Sequence, residues 1–197
     1  MRGLAILIIS MTISAAGISD RARQLHQDAL VFDGHIHMID RQFYMGGDIG
    51  DRVEDGQVDL PRMKEGGIDA LLFSIFITED YYPPRFETRQ AFRLMDLALE
   101  QIRKNHDKIE IALEPDDIPR IVAKGKMAAV MDIEGSWDLD ADPAILRALY
   151  ALGMRAFQLS AHNWTSNAVD SCCAKHKWSG LNEKGRNLVK EANRLHM

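Results

Sequence analysis

The chain of 197 residues contains little cysteine. Its only two cysteines, Cys172 and Cys173, are adjacent. A disulfide between neighbouring residues is strained, so the sequence excludes a framework of disulfides. His176 lies close by, but a structural zinc site normally needs four protein ligands, and no second ligand cluster accompanies these three residues.

The sequence also lacks an excess of basic charge and, in its body, a long apolar run. The 24 Lys and Arg residues are outnumbered by 29 Asp and Glu residues, which gives a formal net charge of −5. Nucleic-acid binding normally requires a basic patch, so the sequence predicts no nucleic-acid partner. No body segment approaches the roughly 18 apolar residues of a membrane span.

The first 17 residues follow the order of a secretory signal peptide. Met1-Arg2 supplies a positive start, an apolar stretch covers 4–16, and Ala15-Ala16-Gly17 offers small residues for cleavage. We expect cleavage near Gly17 and a mature protein, 18–197, in a periplasmic or extracellular space. The alternative is an N-terminal helix that packs on the domain.

Apolar β-type runs alternate with helical patterns through the rest of the chain. No linker or repeat divides them, and 46% hydrophobic residues suffice for one sizeable core. The predicted strands are Leu30–Gly34, Asp69–Ile77, Ile109–Leu113, Ala128–Glu134 and Arg155–His162. The predicted helices are Leu60–Gly66, Phe86–Asn105, Asp117–Lys124, Pro143–Leu152 and Glu183–Leu195.

This alternation predicts an α/β fold of about five parallel βα units. A (β/α)8 TIM barrel typically needs about 250 residues, so five units cannot close one. Two architectures remain open: a doubly wound sheet, or the front part of a longer barrel.

Two histidines one residue apart follow the first predicted strand. Residues i and i+2 of a strand share a face, so we expect the imidazoles of His35 and His37 to project toward the same point. Two neutral imidazoles make half of a transition-metal site. Such pairs also occur by chance on surface strands, so the pair alone is weak evidence.

Glu134 ends the fourth predicted strand and would emerge at the same end of a barrel as the histidines. A carboxylate there can bridge two metal ions about 3.5–4 Å apart, and a salt-bridging glutamate is the alternative. His35, His37 and Glu134 together form a candidate metal site. Asp132, two residues back on the same face, is predicted to support the ligands rather than to bind metal.

His162 closes the fifth predicted strand. Such a histidine binds a metal, orients a substrate carbonyl or stabilises an oxyanion, and a hydrogen-bonded loop histidine is an equal alternative. The sequence contains no glycine elbow around a serine, no P-loop and no dinucleotide fingerprint. Metal-assisted hydrolysis of an amide or ester is therefore the favoured chemistry.

Five ordered segments together carry a resemblance to a known family. They are Asp33-Gly34-His35-Ile36-His37, 58–68, Ile133-Glu134-Gly135, 152–163 and 180–195. They resemble the DGHxD, DLPRLREGGV, IEG, LGVRYLTLTHN and GLTPFGR…MNRLG motifs of the membrane (renal-type) dipeptidase family. These are zinc peptidases on a (β/α)8 barrel, related to the amidohydrolases, and the chain resembles their N-terminal half.

The resemblance implies a role for each candidate residue. His35 would bind the first of two zinc ions, Glu134 would be shared by both, and His162 would contact the substrate near the scissile carbonyl. The family cleaves dipeptides, and some members hydrolyse β-lactam or D-residue-containing substrates. Membrane association or a homodimer is implied in the same way.

Three departures from the family pattern bear on activity. His37 stands where the family has a metal-binding aspartate, which makes the site more positive. Ala161 is inserted before His162, and a one-residue slip reverses side-chain facing unless a bulge absorbs it. The chain also ends before the sixth strand, to which the two later zinc histidines, the substrate arginine and the catalytic aspartate of the family belong.

The leading interpretation is a secreted, zinc-dependent dipeptidase represented by a C-terminally truncated chain that is not necessarily active alone. One alternative is a non-catalytic remnant whose open fifth strand pairs with a partner. Another is an amidohydrolase that acts on lactones or cyclic amides, which the imidazole of His37 suggests.

Overall fold

A parallel sheet lies at the centre of the chain. The computed structural model describes residues 17–76, 86–135, 139–160, 168–171 and 175–197. Within these ranges the strands are β1 (Phe32–Ile36), β2 (Ala70–Ile75), β3 (Ile109–Ile111), β4 (Met127–Ile133) and β5 (Met154–Phe157). The helices are α1 (Asp20–Asp28), α2 (Met38–Met45), α3 (Leu60–Gly66), α4 (Glu87–Lys104), α5 (Asp117–Val122), α6 (Pro143–Ala151) and α7 (Glu183–Leu195). The expected α/β class with five parallel strands is confirmed.

The order of the strands follows the chain except at β3. β1 pairs with β2, and β2 pairs with β4 along its whole length, from Ala70 opposite Ala128 to Ile75 opposite Ile133. β3 pairs with the first three residues of β4, and β5 pairs with the last three. Since β2 occupies one edge of β4, β3 and β5 share its other edge. β1, β2, β4 and β5 therefore form the continuous row, beside which β3 is a short addition.

Two of the strands carry an extra residue. Asp33 pairs with Leu71 and Ile36 with Phe73, so β1 has one residue more than β2 between these pairs. β5 has one residue more than β4 in the same way, at Arg155. Such bulges bend a strand and re-aim its side chains, often beside functional sites. The bulge in β1 contains Gly34 and His35.

The two faces of the sheet differ in polarity. Phe73 of β2 and Met131 of β4 belong to the face that packs against α4, in one buried apolar cluster with Leu94 and Met95. The opposite face carries the buried polar side chains of Ser74 and Asp132 near the carboxyl ends of β2 and β4. Nearer the start of these strands, Ala70 and Ala128 of that face pack with Ile121 of α5 in a second, smaller apolar cluster.

Local capping signals place the helix ends well. α3 and α7 begin and end at the predicted residues, because Asp59 and Asn182 accept hydrogen bonds from backbone N–H groups of their first turns. α6 begins at Pro143 behind the predicted cap Asp142. α2 has no such cap and was missed by the sequence analysis.

Two predicted strands are displaced. β1 begins at Phe32 rather than Leu30, because Leu30 is exposed and regular pairing with β2 starts only after Val31. β5 ends at Phe157 rather than His162, although the N–H of Gln158 still donates to Ile133 at 2.9 Å. His162 itself lies outside the described residues.

The loop between α2 and α3 is held by the end of α4. Asp48 accepts hydrogen bonds from the N–H of Gly50 (2.8 Å) and the side chain of Asn105 (2.6 Å), and its other oxygen lies 2.6 Å from Nζ of Lys104. Burial alone would raise the pKa of Asp48, but these donors outweigh it and lower the pKa to about 2. The loop is therefore held by an ionised carboxylate.

The substitution Asp48→Asn tests this anchor. A carboxylate with a depressed pKa stabilises the fold above its unfolded-state pKa of about 4, and this stabilisation is lost as the pH falls toward the folded-state value. We expect the urea midpoint of the variant to lie below that of the wild type at pH 7 and to converge with it between pH 4 and pH 2. A difference that stays constant over this range would contradict the assignment.

The substitution Phe73→Ala tests the core. Phe73 is fully buried in the apolar cluster, so removing its ring should lower the free energy of unfolding by about 3–5 kcal/mol. Urea denaturation at neutral pH measures the loss. Leu25→Ala is the control, since Leu25 is exposed on α1 and its loss should cost less than about 0.5 kcal/mol. Equal losses in the two variants would refute this description of the core.

Candidate metal centre

Three side chains from separate segments converge at the carboxyl edge of the sheet. Nε2 of His35 lies 2.8 Å from Nε2 of His37 and 3.1 Å from Oε2 of Glu134. Nε2 of His37 lies 2.9 Å from the same carboxylate oxygen. The structure therefore brings together all three residues that the sequence analysis placed in a metal site.

The backbone achieves this convergence by an irregular route. His35 lies in the bulge of β1, whereas His37 lies beyond the last residue of that strand and precedes the first residue of α2. Glu134 directly follows β4, where its N–H donates to Ile75 of β2 at 2.9 Å. The imidazoles meet because a bulge is followed at once by a helix start, and not through regular i, i+2 alternation.

The three converging atoms do not satisfy one another through protons. Two imidazole nitrogens and a carboxylate oxygen form three close contacts. Each nitrogen carries at most one proton and cannot accept a hydrogen bond once it is protonated, so no protonation state gives every contact both a donor and an acceptor. A cation shared by three lone pairs resolves the conflict. Ligand atoms bonded to one zinc ion at about 2.0–2.2 Å lie about 3.3–3.6 Å apart. The observed separations of 2.8–3.1 Å are slightly shorter, so a small outward movement of the side chains would accommodate the ion. The residues therefore fit a divalent metal ion.

The second nitrogen of His35 contacts a buried polar pair. Nδ1 lies 3.0 Å from Oγ of Ser74, and this hydroxyl donates at 2.7 Å to the buried Asp132. Because the hydroxyl proton goes to the carboxylate, Ser74 accepts the Nδ1–H of His35. This tautomer leaves the lone pair on Nε2, which is the atom that faces Glu134.

The second nitrogen of His37 faces another carboxylate. Its Nδ1 lies 3.2 Å from Oδ2 of Asp40, and the ring of Phe76 packs edge-on against its ring. Burial lowers the pKa of His37, but Asp40 and Glu134 together outweigh it and raise the pKa above the ordinary value. Burial likewise raises the pKa of Asp40, and His37 offsets only part of that rise.

The cluster is open on one side. The side chains of His35 and His37 are 34% and 31% exposed, whereas that of Glu134 is 12% exposed. A small molecule can therefore approach the imidazoles from solvent, while the carboxylate is held in the protein. A closed structural site would bury all of its ligands.

Three residues of this site were not predicted from the sequence. Ser74 had a signal, because it is the only polar residue in the otherwise apolar β2. Asp40 also had one, since it follows His37 by three residues, which is one helical turn. Gln158, whose Nε2 lies 3.3 Å from Nδ1 of His35, had none, because it reaches the site only through the pairing of β5 with β4.

The sequence of residues 19–197 matches the family described as "Membrane dipeptidase (Peptidase family M19)". The chain belongs to this family. The match covers every described element and includes all three converging side chains. Among the described residues, no helix combines the length and apolar character needed to cross a membrane.

Named relatives agree with this assignment. Dipeptidase tcpJ of Claviceps purpurea is 31% identical over 84% of this chain and 42% of its own length. The probable dipeptidase PvdM of Pseudomonas aeruginosa has a TM-score of 0.76 at 24% identity, over 89% of this chain and 47% of that chain. A metallopeptidase of Rhodobacter sphaeroides, liganded with a phosphinate mimic of the dipeptide L-Ala-D-Ala, has a TM-score of 0.69 at 22% identity. This match covers 84% of this chain and 56% of that chain.

The matched proteins are longer than this chain, and their structures decide between the two architectures that the sequence left open. The chain spans 37–49% of the length of the curated relatives it matches. Of the two architectures that the sequence left open, the likeness to dipeptidase structures supports part of a barrel rather than a doubly wound sheet. The expected partial (β/α)8 barrel is confirmed.

The substitution Glu134→Gln tests whether the three atoms act as one binding site. The amide removes the negative charge that faces both imidazoles, so we expect the dissociation constant for Zn²⁺ to rise by about tenfold or more. Calorimetric titration of the metal-free chain measures it. Glu114→Gln is the matched control, because Glu114 is exposed and lies outside the cluster. Equal affinities of the two variants would contradict a metal site at Glu134.

Proposed function

We propose that this chain contributes part of the metal site of a zinc-dependent hydrolase that cleaves the amide bond of dipeptides. The convergence of His35, His37 and Glu134 carries the proposal, because no arrangement of protons satisfies all three contacts at once. The match to the dipeptidase family supplies the reaction class. Imidazole and carboxylate donors suit zinc among the common metals.

His35, His37 and Glu134 are the proposed protein ligands of the first zinc ion. A second zinc ion, as in a complete site of the family, would use the other oxygen of Glu134 together with further ligands. A divalent ion held there acts as a Lewis acid toward a substrate carbonyl and as an activator of water. Ser74 and Asp132 hold His35 in the tautomer that presents Nε2, and the exposed imidazole edges leave the substrate a path from solvent.

A dipeptide is the proposed substrate. The curated relative from Claviceps purpurea is named a dipeptidase, and the Rhodobacter sphaeroides neighbour holds a mimic of L-Ala-D-Ala. His162 is proposed to contact the substrate near the scissile carbonyl. The family match does not favour the alternatives of a non-catalytic remnant or of a lactone-hydrolysing enzyme.

The proposed location is outside the cytoplasm. The charge, apolar run and small residues of 1–17 form a signal-peptide pattern, and 18–197 would be the exported domain, the N-terminal part of the barrel. Association with a membrane or as a homodimer is part of the same proposal.

Hydrolysis of L-Ala-D-Ala and L-Ala-L-Ala by the purified, zinc-loaded chain tests the function. We expect release of free alanine, and a loss of about a hundredfold or more in kcat/KM on His35→Ala, because this change removes a ligand from the group that polarises the carbonyl. Quantifying alanine by chromatography measures both.

His106→Ala is the matched control, since His106 is exposed just beyond α4 and its ring lies 3.2 Å from the carbonyl of Arg103, away from the cluster. This variant should retain the activity of the unsubstituted chain. A chain that binds zinc tightly but releases no alanine would favour the non-catalytic remnant over a dipeptidase.

A further inference from the structure

Asp40 is a charged residue beside the metal centre that the proposed function does not yet use. It belongs to the first turn of α2, three residues beyond His37. Its Oδ2 lies 3.2 Å from Nδ1 of His37, on the side of the ring opposite the atom that faces Glu134. One imidazole therefore lies between a carboxylate and the converging cluster, at ion-pair distance from Asp40 but without the alignment of a hydrogen bond.

The surroundings of Asp40 hold this contact in place. The Asp40 side chain is only 24% exposed, and the backbone N–H of Phe76 also donates to it. The ring of Phe76 packs at 72° to the ring of His37, with the ring centres 5.7 Å apart. Rotation of the imidazole would break both contacts, so the direction of Nε2 is held from two sides.

We propose that Asp40 is a positioning residue that makes His37 act toward a metal ion as part of an anionic pair. A carboxylate on Nδ1 fixes the tautomer of a ligating histidine and raises its basicity as a donor. The negative charge of Asp40 also supplies the charge that the neutral imidazole of His37 lacks. This inference rests on the proposed metal site and adds a determinant of its affinity.

A purely helical role for Asp40 makes a different prediction. An acidic residue in the first turn of a helix interacts favourably with the helix dipole wherever it occurs. Asp20 is the acidic residue in the first turn of α1; it is exposed and lies 15 residues before His35 in the chain. If Asp40 served α2 alone, its neutralisation would change stability as that of Asp20 does and would leave metal affinity unaltered.

Calorimetric titration of the metal-free chain with Zn²⁺ tests the proposal without reference to activity. Asp40→Asn should raise the dissociation constant by about 10- to 100-fold. Asp20→Asn should leave the dissociation constant unchanged. Asp40→Glu keeps the charge and should retain more affinity than Asp40→Asn. Thermal melting of each metal-free variant verifies that it folds.

A double-mutant cycle with His37→Asp makes the test specific. In that background Asp40 would face a second carboxylate, so Asp40→Asn should no longer weaken zinc binding. A merely structural Asp40 would show the same effect in both backgrounds, and that result would overturn the proposal. Equal zinc affinity of Asp40→Asn and the unsubstituted chain would also overturn it while leaving the proposed metal site intact. An unsubstituted chain without zinc affinity would refute both.

Discussion

Three side-chain atoms that meet at one point, in contacts that no arrangement of protons satisfies together, are the constraint on which this site depends. His35, His37 and Glu134 come from a bulge, a helix start and a strand end, which belong to three different elements. Like-directed acceptors repel one another unless a cation lies between them. Such a cluster persists because the surrounding fold overdetermines it, as at other functional sites.

The polar face of the sheet supports this arrangement. Burying Asp132 and Ser74 without partners would cost free energy, but they hydrogen bond to each other, and the remaining capacity of Ser74 goes to His35. The opposite face packs Phe73 and Met131 against α4 and supplies the apolar burial. The fold thus places the buried polar pair beside the ligands, while the larger of the two apolar clusters lies on the opposite face.

Much of the fold and of the site was accessible from residues alone, for local reasons. Capping side chains and a proline define helix ends within a few residues of chain, so α3 and α7 were predicted at their observed ends. Strand ends depend on the neighbouring strand, and the bulges in β1 and β5 have no local signature. For this reason the ends of both strands were displaced in the prediction.

The amino-acid sequence by itself determined the α/β class, the family motifs and the identity of the three converging residues, because periodicity, caps and motif spacing are local properties. Only the tertiary structure decided which side chains contact and orient those residues. Ser74 and Gln158 reach His35 through strand pairing, across 39 and 123 positions of chain. The pairing of β2 with β4, with β3 set aside, is likewise a choice among edges that no single segment encodes. Contacts between distant segments depend on register and packing, and these exist only once the whole sheet has formed.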